Sequence, residues 1–317
     1  MELIFIADFK FSEMMMYDGL TLIEQDLKEI IDSNLEHTGI MYRLYSRIKT
    51  KNSIHEKIIR KGYKENGNQV QDIIGLRILT YFGEDIDILI EHFSGVFEVV
   101  NLEYDNPDIT EFSPVRINLV CKLPEEMQKE FNNWRNCHMH VSKFLDSTFE
   151  IQIRTTFSEG WHEIEHQMRY KCKEDWRELE TESRLLNGIY ATLDTSDHML
   201  SRLFDETAYQ HYKSRNWTAM LRTKFRLRFD TEDLSFSIHS LFNRNKEIAK
   251  CFFKLERKVV LKKLLHHSFG MDITFTNLVF LCNFFFVKNE EILHITPLPL
   301  LHQFKSHMVS VPKDVIA

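Results

Sequence analysis

Residues 72–82 have the sequence DIIGLRILTYF, and residues 148–155 have the sequence TFEIQIRT. The first stretch is almost wholly apolar, as expected of a buried strand, but Arg77 interrupts it. The second stretch alternates, and its period of two puts three polar side chains on one face of a strand: Glu150, Gln152 and Arg154. Both stretches therefore predict strands, and the second predicts a strand with one polar face.

Helical and strand patterns alternate on both sides of these stretches. Apolar residues recur at helical spacing between residues 20 and 59, which predicts two amphipathic helices with a break near Ser33 and Asn34. The other predicted elements are helices over 85–93, 124–134 and 157–173, strands over 96–104 and 115–123, and an antiparallel pair of 138–144 with 147–155. This alternation favours an α/β (α+β) class in which helices cover at least one face of a sheet.

The last third of the chain is less informative. A helical pattern covers residues 176–215, and residues 216–317 are rich in Phe, Lys, Leu and His without a repeat or a motif. Residues 273–287 are strongly apolar but too short to span a bilayer, and they include Asn277 and Asn283. We interpret this segment as a buried helix or strand pair, and we predict no association with a membrane.

Composition excludes several classes of protein. Of the 317 residues 43% are hydrophobic and 27% are charged, with only 10 glycines and 6 prolines, which excludes collagen-like and disordered chains. The N-terminus lacks the basic region of a secretory signal, so we expect a cytoplasmic protein. The five cysteines form no C-x-x-C pair, which argues against a disulfide framework and against a zinc site.

Charge is unevenly distributed along the chain. The net charge is −7, yet residues 215–265 contain 13 Lys and Arg against five Asp and Glu. Such a basic stretch would attract RNA or an acidic partner. It is also typical of a solvated helical face in which long cationic side chains cover apolar residues. The sequence leaves both interpretations open.

A first group of polar residues lies in the segment RIKTKNSIHEKIIR, residues 47–60. If the segment is helical, one stripe of that helix carries Lys49, Ser53, Lys57 and Arg60. Like charges so close together repel each other, and a polyanion such as a triphosphate would relieve that repulsion. A solvated basic face remains the alternative to a phosphate site.

Three further groups follow. Asp72 enters the first strand, Gly75 allows close approach of another group to the backbone, and Arg77 must meet an anion or sit at an edge because burying an unpaired guanidinium is costly. The polar face of residues 148–155 is either a site or plain surface. The helix after it carries the segment IEHQMRYK, with Glu165, His166, Tyr170 and Lys171.

Taken together and in this order, the four groups resemble the synthetase domain of the RelA/SpoT family. The matching motifs are R-x-K-x-x-x-S-x-x-x-K-x-x-R, D-I-x-G-x-R, E-I-Q-I-R-T and I-E-H-x-x-x-Y-K, which lie between about residues 40 and 172. The resemblance implies a nucleotidyltransferase-like mixed sheet flanked by helices. It also implies transfer of the β,γ-pyrophosphoryl group of ATP to the 3′-hydroxyl of GDP or GTP, giving the alarmone (p)ppGpp.

The resemblance also implies roles for individual residues. The ATP-binding set would be Arg47, Lys49, Ser53, Lys57, Arg60 and Arg77. Asp72 and Glu150 would be the catalytic acids and the ligands of Mg²⁺, and Glu150 would assist the metal or act as general base. The acceptor-binding set would be Phe112, Arg116, Asn118, Gln152, Arg154, His166 and Lys171, while Glu165 and Tyr170 would orient their neighbours or contact nucleotide themselves.

One segment departs from the family pattern. Most members carry G-Y-x-S-x-H on the central strand, whose tyrosine stacks on guanine, whereas this chain has Pro114, Arg116 and Asn118 at the expected places. Phe112 would have to supply the stacking face. The chain contains no His-Asp dipeptide of the kind expected of the family's hydrolase domain, so we do not predict degradation of the alarmone.

Two other functions stay open at this point. Some relatives pyrophosphorylate the 3′ end of tRNA as toxins, and the basic stretch would suit an RNA acceptor. A nucleotide-binding sensor without turnover is the second alternative.

We divide the chain into an N-terminal helical segment (1–40), a synthetase core (41–173), a long helical extension (174–215) and a mainly helical accessory region (216–317). We expect the accessory region to regulate the enzyme, to neutralise it or to join copies of it into a homo-oligomer.

Overall fold

The computed structural model of the chain describes residues 2–63, 69–104, 117–137, 144–229, 233–266 and 270–309. The chain divides into two units. Unit 1 consists of residues 1–32 and 42–195, and unit 2 consists of residues 33–41 and 196–317. The division into four segments drawn from the sequence stays a prediction.

Unit 1 contains a mixed sheet of five strands. The strands are β1 (Tyr42–Ile48), β2 (Ile74–Thr80), β3 (Val99–Tyr104), β4 (Ile117–Lys122) and β5 (Thr148–Thr155). Their order across the sheet is β1-β2-β5-β4-β3, with β2 and β5 parallel and all other neighbours antiparallel. The stretches DIIGLRILTYF and TFEIQIRT are thus neighbouring strands. The prediction of a mixed sheet with flanking helices is confirmed.

The helices described in unit 1 are α1 (Glu2–Leu35), α2 (Lys51–Lys61), α3 (Glu84–Val96), α4 (Glu125–Cys137), α5 (Thr156–Glu165) and the first part of α6 (Glu180–Ser214). Two of them, α2 and α5, begin at a threonine whose side chain caps the helix. The Thr50 side chain caps the start of α2 by accepting a hydrogen bond from the Ser53 amide, and Gly62, with φ of 63°, ends it. A π-helical turn, His166–Tyr170, continues α5, and a 3₁₀ turn, Lys173–Trp176, follows.

The strand register gathers polar side chains on one face of the sheet. One row of paired residues crosses all five strands, running from Tyr45 through Arg77, Gln152 and Asn118 to Glu103. In the next row Arg47 pairs with Gly75, and Gly75 pairs with Glu150. Because paired residues project from the same side of a sheet, these residues share one surface. We call it the polar face: Tyr45, Arg47, Gly75, Arg77, Glu103, Asn118, Glu150, Gln152 and Arg154.

The opposite face of the sheet belongs to the core of unit 1. Ile74, Leu76, Ile78, Leu119, Phe149, Ile151 and Ile153 are all fully buried there. The ring of Phe97, at the end of α3, packs edge-on against Phe149, with centroids 5.1 Å apart. Burial of these aliphatic and aromatic side chains is the main force that fixes the strand register, since a shift by one residue would bury the charged face instead.

Strand β1 corrects one prediction. Residues 42–48 were expected to belong to an amphipathic helix, but they form an edge strand in which half-buried and exposed positions alternate. Leu44 and Ile48 are four residues apart, and that separation fits a strand period of two as well as a helical period of 3.6. Pairing with β2 decides between them. The stripe from Lys49 to Arg60 is therefore not one helix, because Lys49 precedes α2.

The predicted hairpin of residues 138–144 with 147–155 is also wrong. The strand β5 exists as predicted, but β2 pairs along one edge of it and β4 along the other. Residues 138–143 lie outside the described residues. The other predicted strands and helices of unit 1 are confirmed: α1 begins at Glu2, well before the predicted residue 20, and the remaining ends shift by a few residues.

Unit 2 is helical in the part that the structure describes. Besides the second part of α6 it contains α7 (Trp217–Phe225), α8 (Phe236–Arg244), α9 (Lys246–Lys254), α10 (Arg257–His266), α11 (Phe275–Cys282), α12 (Glu290–Ile295) and α13 (Leu298–Val309). Its core is aromatic: the Trp217 ring packs edge-on against Phe242, and the Trp217 Nε1 donates to Asn243 Oδ1 at 2.8 Å. The predicted helical C-terminal part is confirmed.

The apolar segment 273–287 forms α11 and a π-helical turn, as the interpretation of a buried helix required. None of the helices in the described residues has both the length and the apolar character needed to cross a membrane.

Candidate functional site

Asp72 lies just before β2 and holds two lysines that reach it from different elements. Its Oδ2 accepts a hydrogen bond from Lys49 Nζ at 2.5 Å, and Lys57 Nζ lies 2.9 Å from the same oxygen. Lys49 follows β1 and Lys57 belongs to α2, so a strand end and a helix converge on one carboxylate. Although the predicted single helix is wrong, these two members of the stripe do meet Asp72.

The charges of this cluster are mutually dependent. Burial is the largest influence on Asp72 and raises its pKa, but the two lysines together outweigh burial and hold the pKa of Asp72 below its usual range. Burial lowers the pKa of Lys49, and the charge of Asp72 opposes that shift. One carboxylate between two ammonium groups leaves a net positive charge, which favours binding of a phosphate group.

Glu150 on β5 is the second acid of the site. It is 9% exposed, and burial raises its pKa, with a further increase from the negative charge of Asp72. Gln152 Nε2 donates a hydrogen bond of 3.2 Å to Glu150 Oε2. A carboxyl group with a raised pKa beside a carboxylate with a lowered one is an arrangement in which the two acids have different chemical roles.

The donor set around Asp72 fits a divalent cation. Asp72 Oδ1 is buried and has no hydrogen-bond partner among the described residues, although Oδ2 has two. The described residues contain no group of three or more His, Cys, Asp or Glu that could hold a metal ion. A cation here would therefore take Asp72, Glu150 and oxygen atoms of a bound ligand, a composition typical of Mg²⁺ sites that work on phosphates.

Arg77 lies at the centre of the polar face, and two of its guanidinium nitrogens, Nε and Nη1, bind neighbouring side chains. Its Nε donates to Gln152 Oε1 at 2.9 Å, and its Nη1 contacts Glu159 Oε1 and lies 2.7 Å from Glu163 Oε1. Glu159 also binds Arg154, whose Nη1 lies 2.8 Å from Glu159 Oε2. Arg77 thus meets the anion that its buried position required.

A pocket opens between β1, β2 and α5 on the polar face. Its volume is about 370 Å³, and its lining includes Tyr45, Arg47, Gly75, Arg77, Gln152 and Glu163. A Cβ atom added to Gly75 would lie 3.9 Å from Arg47 Cγ and Nε, so the guanidinium chain of Arg47 runs over the glycine. The pocket is of a size that accommodates a small ligand.

Comparisons with known proteins match this part of the chain. Residues 46–175 match the family model described as a region found in RelA/SpoT proteins. That range contains Asp72, Glu150, both lysines and the residues that line the pocket except Tyr45. Residues 46–175 are therefore similar to a RelA/SpoT region, and we use that name for this range below.

The proteins similar to this chain include one relative compared by sequence and two solved structures. The chain is 28% identical over 175 residues to the GTP pyrophosphokinase YwaC of Bacillus subtilis strain 168, which covers 51% of this chain and 72% of the relative. The solved structure of small alarmone synthetase 1 from Bacillus subtilis bound to its product pppGpp is 25% identical, with a TM-score of 0.45, and covers 62% of this chain and 96% of that one. Small alarmone synthetase 2 from the same organism is 21% identical, with a TM-score of 0.41, and covers 63% of this chain and 99% of that one.

The remaining donor residues of the RelA/SpoT region lie on β1 and α2. Arg47 is exposed on β1 at the pocket, while Ser53 and Arg60 are exposed on α2. The Ser53 amide and hydroxyl bind the Thr50 hydroxyl, at 3.3 and 2.9 Å, so Ser53 helps to start the helix. Neither Ser53 nor Arg60 contacts Asp72 in the described part of the chain. Their assignment to the ATP phosphates stays a prediction.

The structure describes only some of the residues that were predicted to bind the acceptor nucleotide. Phe112 and Arg116 lie outside the described residues. Asn118 lies beside Gln152 on the polar face, its Nδ2 donates to Glu103 Oε2 at 3.4 Å, and its buried Oδ1 has no hydrogen-bond partner among the described residues. Asn118 therefore carries an acceptor atom that a bound molecule could engage.

The end of α5 brings the last motif of the RelA/SpoT region to the site. The His166 ring stacks on Tyr170 with centroids 5.4 Å apart, and Lys171 Nζ donates to Gln167 Oε1 at 2.9 Å. Burial lowers the pKa of His166, and the charges of Lys171 and Arg47 lower it further, so these cations lie near one another.

Glu165 has a structural partner. Its Oε1 lies 3.3 Å from Arg169 Nε, and Arg169 reaches Asn187 Oδ1 at 3.0 Å, which fastens α5 to α6. Glu165 is thus ion-paired with Arg169, and the choice between its two expected roles stays a prediction.

Sequence reasoning missed two residues of the site, Glu159 and Glu163. They are four positions apart on α5 and both bind Arg77. The signal that could have found them was the need of Arg77 for an anion, combined with a helix that directly follows β5. Spacing alone did not reveal which of the helix acids would reach back to β2.

Proposed function

We propose that this protein is a Mg²⁺-dependent GTP pyrophosphokinase that transfers the β,γ-pyrophosphoryl group of ATP to the 3′-hydroxyl of GDP or GTP, making (p)ppGpp. The observation that carries the proposal is the binding of two lysines to Asp72, whose charge in turn acts on Glu150 of the polar face, inside the range that matches the RelA/SpoT family model. The similarity to the GTP pyrophosphokinase YwaC supports the same reaction.

ATP would bind between β1, β2 and α2. Lys49 and Lys57 would donate to the phosphates, helped by Arg60 and Ser53 on α2. Arg47, which the resemblance assigns to the ATP phosphates, and Arg77 line the pocket together and would bind ATP there. Fixed cations of this kind lower the barrier of phosphoryl-type transfers mainly by positioning the phosphates and by stabilising the charge that develops on them.

Asp72 and Glu150 would hold Mg²⁺ between them and the ATP phosphates. The ion would supply additional positive charge to the transferred group. Glu150 has a second task that follows from its own environment: its raised pKa makes it a better proton acceptor than an ordinary carboxylate, so it would take the proton of the attacking 3′-hydroxyl. Gln152 is hydrogen-bonded to both Glu150 and Arg77 and would hold these two side chains at fixed positions relative to each other.

The acceptor nucleotide would occupy the side of the polar face near β4. Asn118 offers there an amide oxygen that accepts no hydrogen bond from the described residues, and Arg154, His166 and Lys171 offer donors for the acceptor's phosphates. Phe112 and Arg116 would complete the acceptor site in place of the usual tyrosine and serine of the family.

The test is an assay for transfer of label. Purified protein is incubated with γ-labelled ATP and Mg²⁺ in parallel with GDP, GTP, AMP or bulk tRNA, with Asp72→Ala as the blank, and the products are separated by thin-layer chromatography. Label that moves to a guanosine nucleotide is the expected result. Label that appears on tRNA alone, or binding of ATP without any transfer, would contradict the proposal in favour of a tRNA-modifying toxin or a sensor.

A further inference from the structure

We propose that Glu159 and Glu163 are positioning residues for Arg77 and that they have opposite effects on the affinity for ATP. Glu159 fixes the guanidinium of Arg77 in the pocket, whereas Glu163 competes with ATP for Arg77 and is displaced when ATP binds. The inference rests on the proposed function, because it takes the ligand of the pocket to be the anionic donor ATP. Neither glutamate belongs to the motifs that revealed the RelA/SpoT region.

Glu159 has the properties of a fixed support. Its side chain is 10% exposed, and its two oxygens bind different arginines, Oε1 binding Arg77 on β2 and Oε2 binding Arg154 on β5. One carboxylate thus joins α5 to two neighbouring strands. Breaking such a buried pair leaves an uncompensated charge inside the protein, so the free energy of these bonds strongly favours keeping Glu159 in place.

Glu163 has the properties of an exchangeable partner. It lies one helical turn after Glu159, its side chain is 54% exposed, and among the described residues its ion pair is with Arg77, at 2.7 Å. An exposed carboxylate loses little by returning to water, since ion pairs at the surface contribute only weakly. Glu163 also lines the pocket that Arg77 and Arg47 share.

The hydrogen bonds that Arg77 makes to the described residues allow a ligand to replace Glu163 as its partner. Its Nε and Nη1 are occupied, while its Nη2 makes no hydrogen bond to any of the described residues. Glu159 and Glu163 together balance the charges of Arg77 and Arg154, so the closed network is neutral. When Glu163 swings out, the network gains a net positive charge at the pocket, and an anionic nucleotide would supply the compensation.

The experiment is a binding titration with α,β-methylene ATP, which requires no turnover. Glu163→Gln should bind the analogue about two- to fivefold more tightly than wild type, because a weak competing ion pair is lost. KM for ATP should fall by the same factor while kcat stays within about twofold. Glu98→Gln is the matched control, because it removes one charge from the Lys122 ion pair, whose two residues do not line the pocket.

Arg77→Ala makes the test specific. Glu163→Gln should have no effect on affinity in the Arg77→Ala background, since the two residues form one thermodynamic cycle. Glu159→Gln should instead weaken binding, because Arg77 loses its fixed support. If that variant does not fold, as judged by thermal unfolding, Glu159→Asp serves in its place: the shorter carboxylate keeps the charge but cannot reach both arginines, and weaker binding is again expected.

The outcomes separate the two claims. If wild type does not bind the analogue, the proposed donor site is wrong and this inference falls with it. If wild type binds but Glu163→Gln binds equally or more weakly, or if the effect persists without Arg77, Glu163 is not a competitor. If Glu159→Gln tightens binding as Glu163→Gln does, the division of roles between the two glutamates is overturned.

Discussion

Replacing Glu150 by glutamine should abolish most of the activity and yet stabilise the fold at neutral pH. The substitution keeps the shape of the side chain and an oxygen that can accept the hydrogen bond of 3.2 Å from Gln152. It removes the proton acceptor and one metal ligand. A lost general base costs roughly 10²- to 10⁴-fold in rate, which corresponds to about 3 to 5 kcal/mol of barrier.

The effect on stability follows from the pKa of Glu150. Burial, and then the charge of Asp72, raise this pKa above its ordinary value of 4.5, so the fold favours the protonated form. The stability that Glu150 contributes is therefore fully present below about pH 4.5 and is lost as the pH rises through the pKa of the folded state. Glutamine does not titrate. The variant should unfold at a higher temperature than wild type at pH 7, and the difference should disappear near pH 4.

Two assays check this prediction. Transfer of label from ATP to GDP at pH 7 measures the rate, and thermal unfolding followed by circular dichroism between pH 4 and pH 8 measures stability, with Glu98→Gln as a control for the loss of one exposed negative charge. Turnover near the wild-type rate would refute the role of Glu150 as a base. An unfolding temperature that is equal to or lower than that of wild type at pH 7 would refute the electrostatic account of the site.

Three further substitutions test other parts of the account. Asp72→Asn frees both lysines for phosphate, so metal-free affinity for α,β-methylene ATP should be unchanged or higher in a titration with EDTA, while turnover with Mg²⁺ should fall by at least about 100-fold. Gly75→Leu should displace Arg47 and weaken donor binding about tenfold in the same titration, the size of one lost charged contact. Trp161→Phe deletes the hydrogen bond of 2.9 Å to the Leu186 carbonyl and should lower the free energy of unfolding by about 1 to 2 kcal/mol in urea, with little effect on turnover.

Each of these has a control or an outcome that would count against it. Turnover of Asp72→Asn within tenfold of wild type would contradict its role as metal ligand. Gly75→Ala is the matched control for Gly75→Leu, because its Cβ fits at an ordinary contact distance of 3.9 Å, and equal weakening by both would exclude displacement of Arg47 as the cause. A strong loss of turnover in folded Trp161→Phe would show that the contact between α5 and α6 supports catalysis directly.

The sequence predicted the centre of the fold because burial there is unambiguous. For the apolar run of β2 and the alternation of β5, a strand is the one interpretation that buries the aliphatic side chains in the core and puts Glu150 and Gln152 together on the other face. The convergence of Lys49 and Lys57 on Asp72 was also within reach, since all three belong to matching motifs.

The sequence did not predict β1 or the two glutamates that bind Arg77, and the reasons are physical. Residues 42–48 carry apolar side chains at spacings common to a helix and a strand, and only pairing with β2, a tertiary interaction, selects the strand. Glu159 and Glu163 are ordinary helix acids until the packing of α5 brings them to Arg77. The partner of a buried charge depends on how elements pack, and that information is not local in sequence.

Under the proposed function, Asp72 and Glu150 share a cation at the phosphates of ATP. This can be measured in a crystal structure of the protein with α,β-methylene ATP and Mn²⁺ in place of Mg²⁺, with anomalous differences used to locate the metal. We expect a peak at bonding distance from Asp72 Oδ1, with Glu150 and the nucleotide phosphates as its other ligands and Lys57 Nζ turned toward the phosphates. A metal bound away from Asp72, or a triphosphate bound away from the polar face, would contradict it.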